Sequence, residues 1–445
     1  MIATCERTGT AVFGGTRPWT LAVLWLAVLT AFFFVSYGFT NWMTSLRHQV
    51  PSLVFGWEHR IPFLAWTVVP YWSTDLLYAL SLFICRTRRE LNTHAMRLVA
   101  AQIFSTSGFL LFPLRFTFER LHPAGLFGWM FDALASFDKP FNQAPSLHLS
   151  LTTILWARYS QHLSGGWLWL MRGWMILMGV STLTTYQHHF IDVPTGVWVG
   201  LLCIAMFPDE PVIVRYEAVR EPQRIKFGAA YAVGCALLVG LALRIGGMGW
   251  WLLWPAGALS IVAIIYFSGR PELFRKANGA MPPVMVCLLA PYLAAAWLNS
   301  RLWTRREPCN EITDGIWLGR LPGKAERNRQ GIASIVDMTA ELPADAAGVV
   351  YRAVPMLDLV VPTVEQLDAA VDAIAELKWE RPTLVCCALG YSRSAASLAA
   401  WLTASGKAAS VSDSIALISA RRPHIALGRS HRARLEEWYR ARAGR

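Results

Sequence analysis

Long apolar stretches dominate the first three hundred residues of this 445-residue chain. Each is about long enough, as a helix, to cross the hydrocarbon core of a bilayer. The stretches lie near residues 19–36, 63–85, 97–113, 147–164, 167–184, 190–207, 227–246, 249–267 and 281–299. Only 16% of the residues are charged and 21 are tryptophan, which collects at membrane interfaces. The sequence therefore predicts a multi-span helical membrane protein.

Basic residues indicate on which side of the membrane each loop lies. Residues 1–306 contain 24 Lys and Arg against 13 Asp and Glu, whereas residues 307–445 contain 17 against 16. The loop CRTRRELNTHAMR is strongly basic, and such loops are usually cytoplasmic. The loops after the third and fifth stretches should then lie on the extracytoplasmic face. Because there is no separate basic domain, we do not expect a nucleic-acid partner.

The character of the sequence changes around residue 304, where charged residues reach ordinary density and apolar runs shorten to strand length. GIWLGRLP and PTLVCC are typical of strands, and TVEQLDAAVDAIAELKW has the spacing of an amphipathic helix. Alternating strands and helices predict an α/β sandwich. The predicted organisation is an N-terminal span and loop (1–60), a helical membrane domain (61–210), additional transmembrane segments (211–303) and an α/β domain (304–445).

Ionisable residues lie at the ends of several predicted spans, where their cost makes them usually functional. In TTYQHHFIDVPTG these are His188 and Asp192. His148, in APSLHLSL, is separated from His188 by two predicted spans, so both histidines should emerge on the same face. Arg115 and Arg120, in FPLRFTFERLHP, follow the third span and should share that face. We therefore expect these five side chains to converge at one extracytoplasmic site.

This set of residues suits phosphoryl transfer. Guanidinium groups bind phosphate oxygens in bidentate fashion, one imidazole can attack phosphorus, and another can protonate the leaving oxygen. Asp192 lies four residues after His188, hence on the same helical face, and could hold the imidazole ring. His189 lacks this spacing and is interpreted as an interfacial polar residue.

PSLH and HHFID resemble motifs of the phosphatidic acid phosphatase type 2 (PAP2) superfamily, over roughly residues 60–210. The combination looks most like the inositol phosphorylceramide synthase branch. The resemblance implies a lipid phosphate or polyprenyl phosphate substrate. It also implies a nucleophile, a general acid, an orienting carboxylate and two phosphate ligands, which would be His188, His148, Asp192, and Arg115 with Arg120, respectively.

Two motifs depart from the superfamily pattern. The first motif is KxxxxxxRP, but Pro113 occupies the lysine position, and Leu121 and His122 separate Arg120 from the following proline. The third motif usually begins with Ser-Arg, where this chain has Ser-Thr. The sequence therefore leaves open which residues complete the phosphate clamp.

A second phosphate-binding pattern occurs in LVCCALGYSRSAAS. Cys387 and Arg393 fit Cys-x5-Arg, with Gly390 inside the loop and Ser394 directly after it. A strand–loop–helix of this kind directs backbone N–H groups toward a phosphate, and the same field favours a thiolate. The arginine can bind two phosphate oxygens. The pattern predicts a cysteine nucleophile beside a phosphate-binding loop.

The motif resembles the cysteine-dependent dual-specificity phosphatases, across residues 307–445. The resemblance implies that Ser394 assists release of the cysteine and that an upstream loop aspartate, matched by Asp358, is the general acid. Asp337 is a competing candidate that falls in a predicted strand and is interpreted as structural. Cys386 stands where many members have a loop-ordering histidine, and ARRPH (420–424) is interpreted as a solvated helix end.

Three functions remain open at this point. Water could resolve the phosphohistidine, giving a lipid phosphatase, or an alcohol could do so, giving a head-group transferase whose product the α/β domain then dephosphorylates. The third function is a non-catalytic membrane sensor or transporter with a phosphate-binding α/β domain. Neither predicted enzyme needs a metal or another cofactor.

The number of spans determines the side on which the α/β domain lies. Nine spans starting inside would place it outside the cell, whereas a reactive thiol is better kept in a reducing cytoplasm. The flank SRLWTRR is also typical of the cytoplasmic side. The proline-rich segment 281–299 could be re-entrant or peripheral, which leaves eight spans. We therefore expect a cytoplasmic α/β domain.

Overall fold

The computed structural model describes residues 17–119, 121, 123–211, 216–377 and 382–443. Its internal contacts divide the chain into two compact units, Met1–Glu210 and Pro211–Arg445. The first unit is helical. The second contains three further helices together with an α/β domain, which runs from the first strand to the last helix.

Seven α-helices form the described part of the first unit, and six of them overlap predicted apolar stretches. The seventh, α4, was not predicted, and its 13 residues span only about 20 Å. The two helices that carry residues of the predicted histidine site begin at polar residues. Ser146 caps α5, and α7 starts at Asp192, whose negative charge is favourable at a helix N-terminus. The helices are α1 (Trp19–Ser45), α2 (Val68–Phe83), α3 (Arg88–Leu111), α4 (Gly125–Phe137), α5 (Leu147–His162), α6 (Gly165–Thr184) and α7 (Asp192–Met206).

A buried ionic network fixes the end of α5 that lies away from its cap. Arg158 contacts Glu90 at 2.6 Å and Asp209 at 3.0 Å, and Arg97 contacts the same Asp209 at 3.0 Å. His162 Nε2 lies 2.5 Å from Glu90. The paired charges explain how α3 and α5 carry arginines in a helical interior.

The second unit begins with three apolar helices and continues into the α/β domain. The helices are α8 (Pro222–Ile245), α9 (Leu253–Ser268) and α10 (Pro283–Trp303). The α/β domain contains β1 (Cys309–Thr313), β2 (Ile316–Arg320), α11 (Lys324–Arg329), β3 (Ser334–Thr339), β4 (Val350–Met356), α12 (Val364–Ala375), β5 (Thr383–Cys387), α13 (Arg393–Ala404), α14 (Val411–Arg421) and α15 (Arg429–Ala443). The predicted α/β architecture is confirmed.

Four helical segments in the described residues are long and apolar enough to cross a membrane, which indicates a membrane protein. They are α1, α8, Gly247–Ser268 (which contains α9) and α10. This is fewer than the eight or nine predicted spans. The other apolar stretches form helices that are shorter, such as α2 and α7, or richer in polar residues, such as α3.

The α/β domain is built on a mixed five-stranded sheet of order β1-β2-β5-β3-β4. Only the β1–β2 pair is antiparallel. The carboxyl ends of β5 and β3 therefore meet at one edge, where Cys387 pairs with Arg320 and Asp337 pairs with Cys386.

Adjacent residues of β5 face opposite sides of the sheet. Cys387 belongs to the larger core cluster, which includes residues of α12, α13, α14 and α15. Cys386 belongs to a smaller cluster on the other face, against which Ala296 of α10 packs. The last four helices thus cover one face of the sheet, and Ala296 of α10 packs on the other face.

Candidate active sites

The phosphate loop, Cys387–Arg393, connects the end of β5 to the start of α13. The backbone N–H of Gly390 and the hydroxyl of Ser394 each donate a hydrogen bond to the Cys387 sulfur, both at 3.2 Å. The sulfur therefore lies at the N-terminus of α13, among hydrogen-bond donors. The three residues predicted to share this site therefore lie together, and their catalytic roles stay predictions.

Gly390 can occupy its position only because it has no side chain. Its φ of +75° lies in the left-handed region. A Cβ there would lie 2.3 Å from the main-chain carbon of Gly319 in β2. The close approach of these two glycines lets the phosphate loop pack directly on the neighbouring strand.

Arg393 is held by two carboxylates, one of which the sequence did not indicate. Its Nη1 and Nη2 donate to Glu341 at 2.9 and 2.7 Å, and Nη2 lies 2.9 Å from Asp358. Burial disfavours the charge of Arg393, but Asp358 and Glu341 raise its pKa well above the usual value. Burial likewise opposes ionisation of Glu341, yet Arg393 lowers the pKa of this carboxyl. The Nε donor is buried and has no hydrogen-bond partner among the described residues.

Asp358 lies beside Arg393 in a segment of unusual backbone conformation. The following residue, Leu359, has a φ of +59°, and the hydroxyl of Tyr266 in α9 donates to the Asp358 carbonyl at 3.0 Å. Burial raises the pKa of Asp358 against the opposing attraction of Arg393. A carboxyl that keeps its proton to higher pH is suited to a general acid.

Asp337, the competing acid, is fully buried in β3 and has several partners. Lys276 contacts it at 2.5 Å, the Tyr351 hydroxyl donates to it at 2.7 Å, and Thr339 N donates at 2.7 Å. These partners occupy both carboxylate oxygens. The contacts agree with a structural role for Asp337.

The interpretation of ARRPH as a solvated helix end is wrong for Arg422, which is 1% exposed. Its Nε and Nη2 donate to the carbonyls of Gly390 and Leu389 at 2.9 and 3.0 Å. His431 Nε2 lies 2.9 Å from the Ser392 hydroxyl. Arg422, directly after α14, and His431 of α15 therefore hold the phosphate loop from the C-terminal part of the domain.

In the first unit, His188 and Asp192 form the predicted pair. His188 Nδ1 lies 3.1 Å from Asp192 Oδ2, and Nε2 lies 3.1 Å from the hydroxyl of Ser146. The carboxylate therefore sits at one ring nitrogen and leaves the other directed to the start of α5. This geometry fits a histidine nucleophile with an orienting carboxylate.

His148 lies in the first turn of α5, two residues after the Ser146 that contacts His188. Its Nε2 is 2.7 Å from the Thr74 hydroxyl, and its ring stacks on Tyr71 with the ring centres 4.3 Å apart. The two histidines predicted to share a site are thus joined through one short segment.

His189 has a carboxylate of its own, which the sequence gave no reason to expect. Its Nδ1 lies 3.0 Å from Glu58, which is 1% exposed and 131 positions away. The opposite ring nitrogen lies 3.3 Å from Thr117 N. A second buried His–carboxylate pair therefore lies next to the first.

The phosphate ligands predicted for this site are Arg115 and Arg120. Arg115 is exposed, one residue before Phe116, whose ring stacks on His189 with centres 4.4 Å apart. Arg120 lies outside the described residues. The segment that contains Arg115 thus reaches the histidines, whereas the arginine clamp itself stays a prediction.

Residues 316–441 match the family model described as the dual specificity phosphatase catalytic domain. The match identifies the α/β domain as a phosphatase, a hydrolase of phosphoric monoesters, and supports the predicted cysteine-dependent activity. A search of the curated proteins found no match.

Several solved structures resemble about 30% of the chain. PTPMT1 in complex with PI(5)P is 25% identical, with a TM-score of 0.28, and the alignment covers 31% of this chain and 99% of that one. Tk-PTP in the active form is 23% identical, with a TM-score of 0.28 and coverages of 30% and 98%. Human DUSP28 is 21% identical, with a TM-score of 0.28 and the same coverages.

Proposed function

We propose that the α/β domain removes the phosphate of a phosphomonoester lipid through a phosphocysteine intermediate on Cys387. The observation that carries this proposal is the pair of hydrogen bonds to the Cys387 sulfur, with the Arg393 guanidinium at the other end of the same loop. Apolar helices in the same compact unit support a lipid substrate. The phosphate loop between Cys387 and Arg393 contains no basic residue, which favours a singly phosphorylated head group.

The proposed reaction has two steps. The Cys387 thiolate attacks phosphorus while the ester P–O bond breaks, and Asp358 gives its proton to the leaving oxygen. Water then attacks the phosphocysteine, Asp358 accepts a proton from it, and the P–S bond breaks to regenerate the thiolate with help from Ser394. Arg393 binds the phosphate oxygens throughout.

Purified full-length protein tests this assignment with an aryl phosphate and with a phosphomonoester lipid in mixed micelles. Cys387→Ser should abolish the turnover of both substrates, while the wild-type protein hydrolyses both. Undiminished turnover in Cys387→Ser would show that another residue is the nucleophile. Hydrolysis of the aryl phosphate alone would retain the phosphatase and reject the lipid substrate.

We also propose that the first unit transfers phosphoryl groups through a phosphohistidine on His188. The contact of His188 Nδ1 with Asp192 at 3.1 Å supports this role, together with the position of His148 near Ser146. His148 would protonate the leaving oxygen. The substrate would be a lipid phosphate or a polyprenyl phosphate, and either water or an alcohol would accept the phosphoryl group.

The two activities could act in sequence, since a head-group transferase can leave a phosphomonoester that the α/β domain then hydrolyses. Lipid extracts of a Cys387→Ser strain test this relationship. Sequential action requires a phosphorylated lipid that accumulates in this strain and disappears when His188→Ala is added. Unrelated changes in the two single mutants would instead indicate two independent enzymes in one chain.

A further inference from the structure

The segment that leads into α10 is attached to the α/β domain. Lys276 Nζ contacts Asp337 Oδ2 at 2.5 Å, and Ala344 N donates to the Gly279 carbonyl at 2.8 Å. Gly279 lies only four residues before Pro283, the first residue of the helix. The start of α10 is therefore held close to this domain.

The end of α10 is attached to the same domain. The Ser300 hydroxyl donates to the carbonyl of Ala388 in the phosphate loop, and Arg301 Nη1 donates to the Leu321 carbonyl at 3.2 Å. The Tyr391 hydroxyl, also in the phosphate loop, donates to the Trp303 carbonyl at 3.3 Å. Ala296, between the two ends, packs against the sheet.

These attachments conflict with a transmembrane path for α10. Its 21 residues span about 31 Å, which is close to the thickness of the hydrocarbon core. A crossing helix of that length would have its two ends on opposite sides of the bilayer. Because the α/β domain holds both ends of α10, this domain would have to lie on both sides of the bilayer at once.

The outer face of α10 is nevertheless apolar. A helix that covers a sheet in a water-soluble domain normally has a polar outer face. Here Trp297, Leu298 and Leu302 are 53%, 51% and 58% exposed, and Trp303 is 71% exposed. Such a face requires an apolar environment, and tryptophan favours the membrane interface.

Helices α8 and α9 form a hairpin that leaves and returns to the α/β domain. Glu221, just before α8, pairs with Arg434 of α15, and Tyr266 near the end of α9 bonds to Asp358. Between residues 216 and 306, one basic residue, Arg244, lies near the tip of the hairpin. The others lie at the end near the α/β domain: Arg220, Arg224, Lys226, Arg270, Arg275, Lys276, Arg301, Arg305 and Arg306. Such a concentration of basic residues at one end is typical of the cytoplasmic side of a membrane, where these residues attract anionic lipids.

We propose that α10 lies in the cytoplasmic membrane interface, with lipid against its outer face and with α9 and the α/β domain against its inner face. The α8–α9 hairpin then supplies the only two crossings of residues 216–303, so the α/β domain stays on the side from which the hairpin enters. Because α10 contacts the phosphate loop through Ser300 and Trp303, the cysteine site opens beside the lipid head groups. The inference deepens the proposed function: its substrate is a phosphomonoester lipid of that same leaflet.

Spin labels on the outer face of α10 test the orientation of the helix. Single cysteines at residues 287, 294, 298 and 302, in the full chain with its other cysteines replaced, would be labelled in vesicles containing anionic lipid. An interfacial helix gives one shallow immersion depth at all four positions. A depth that is greatest at residue 294 and shallow at both ends would show a crossing helix. Strong dipolar broadening between labels would show a second copy of the chain on this face, and either result overturns the proposal.

Enzyme assays test the consequence for the substrate and do not depend on labelling. For Leu298→Glu, we compare turnover on vesicle-embedded phosphomonoester lipid with turnover on aryl phosphate. The ratio of the two should fall by about tenfold, because a charged side chain in the membrane costs free energy and opposes the insertion of α10 into the lipid. Leu298→Met is the matched control and should preserve the ratio. An unchanged ratio in Leu298→Glu contradicts the proposal. Undiminished aryl phosphate turnover in Cys387→Ser would overturn the proposed function, whereas the spin labels decide the orientation of α10 independently of that result.

Discussion

Arg422 binds two adjacent carbonyls of the phosphate loop. Its Nε donates to the Gly390 carbonyl at 2.9 Å, and its Nη2 donates to the Leu389 carbonyl at 3.0 Å. With these carbonyls bound to the guanidinium, the N–H of Gly390 is directed to the Cys387 sulfur. One buried arginine thus sets the orientation of the peptide groups that surround the nucleophile.

We expect Arg422→Lys to lower kcat/KM for an aryl phosphate by about 10- to 100-fold, because an ammonium group cannot reproduce the planar fork that binds two carbonyls. Steady-state kinetics of the purified protein measures the change. Arg421→Lys is the matched control, since Arg421 is exposed. Equal effects of the two substitutions would argue against a positioning role for Arg422.

Asp358→Asn should slow hydrolysis by roughly 10²- to 10⁴-fold, the usual contribution of one general acid. Asp358 must be protonated to act, and burial raises its pKa, so activity should persist to higher pH than an ordinary aspartate would allow. As pH rises through that raised pKa, kcat/KM falls. The asparagine variant should lack this alkaline decline, and pH–rate profiles measure it. Asp372→Asn, at a residue that is 67% exposed, should leave the profile unchanged.

Glu341→Gln should lower the free energy of unfolding by about 3–5 kcal/mol, because it leaves the buried Arg393 with one carboxylate fewer. Arg393 lowers the folded-state pKa of Glu341 below its unfolded value. The stabilising contribution is therefore complete above the unfolded pKa and is lost as pH falls through the folded pKa. Thermal unfolding in detergent, followed by tryptophan fluorescence, should show a lower midpoint and a weaker acid dependence. Glu376→Gln, at a 60% exposed side chain, is the control.

His188→Ala should remove lipid phosphoryl transfer, whereas His189→Ala should be much milder, because His188 is the histidine whose ring pairs with Asp192. Radiolabelled lipid phosphate measures the transfer, and aryl phosphate hydrolysis by the α/β domain provides an internal control. Asp192→Asn should resemble His188→Ala more than Glu58→Gln does. The opposite ranking would identify the His189–Glu58 pair as the nucleophilic one.

Contiguous motifs could be predicted from the sequence, while the partners of their side chains could not. Cys387, Gly390, Arg393 and Ser394 fall within eight residues, and a strand, a loop and a helix place them around one point. Glu341 lies 52 positions from Arg393, and no local pattern connects the two. Hydrogen bonds between such distant residues depend on the order of the strands and on the helices that cover them.

Composition alone also did not indicate the surroundings of two segments, the basic stretch around Arg422 and the apolar helix α10. Arg422 belongs to a locally basic stretch typical of a surface helix, but tertiary contacts bury it against the phosphate loop. The apolar content of α10 agrees with a span, yet hydropathy does not report that Ser300 and Gly279 are both bonded to one domain. In both cases, the decisive contact joins segments that are distant in sequence.

The adjacent thiols Cys386 and Cys387 belong to core clusters on opposite faces of the sheet. Neighbouring side chains of an extended strand diverge, so these two sulfurs cannot join while β5 is intact. Cys309, the preceding cysteine in the chain, also packs on the face of Cys386. A sulfenic acid formed on Cys387 by peroxide could therefore condense with neither of these two thiols while the sheet is folded. Oxidation of the nucleophile thus leaves the packing of the opposite face of the sheet unchanged.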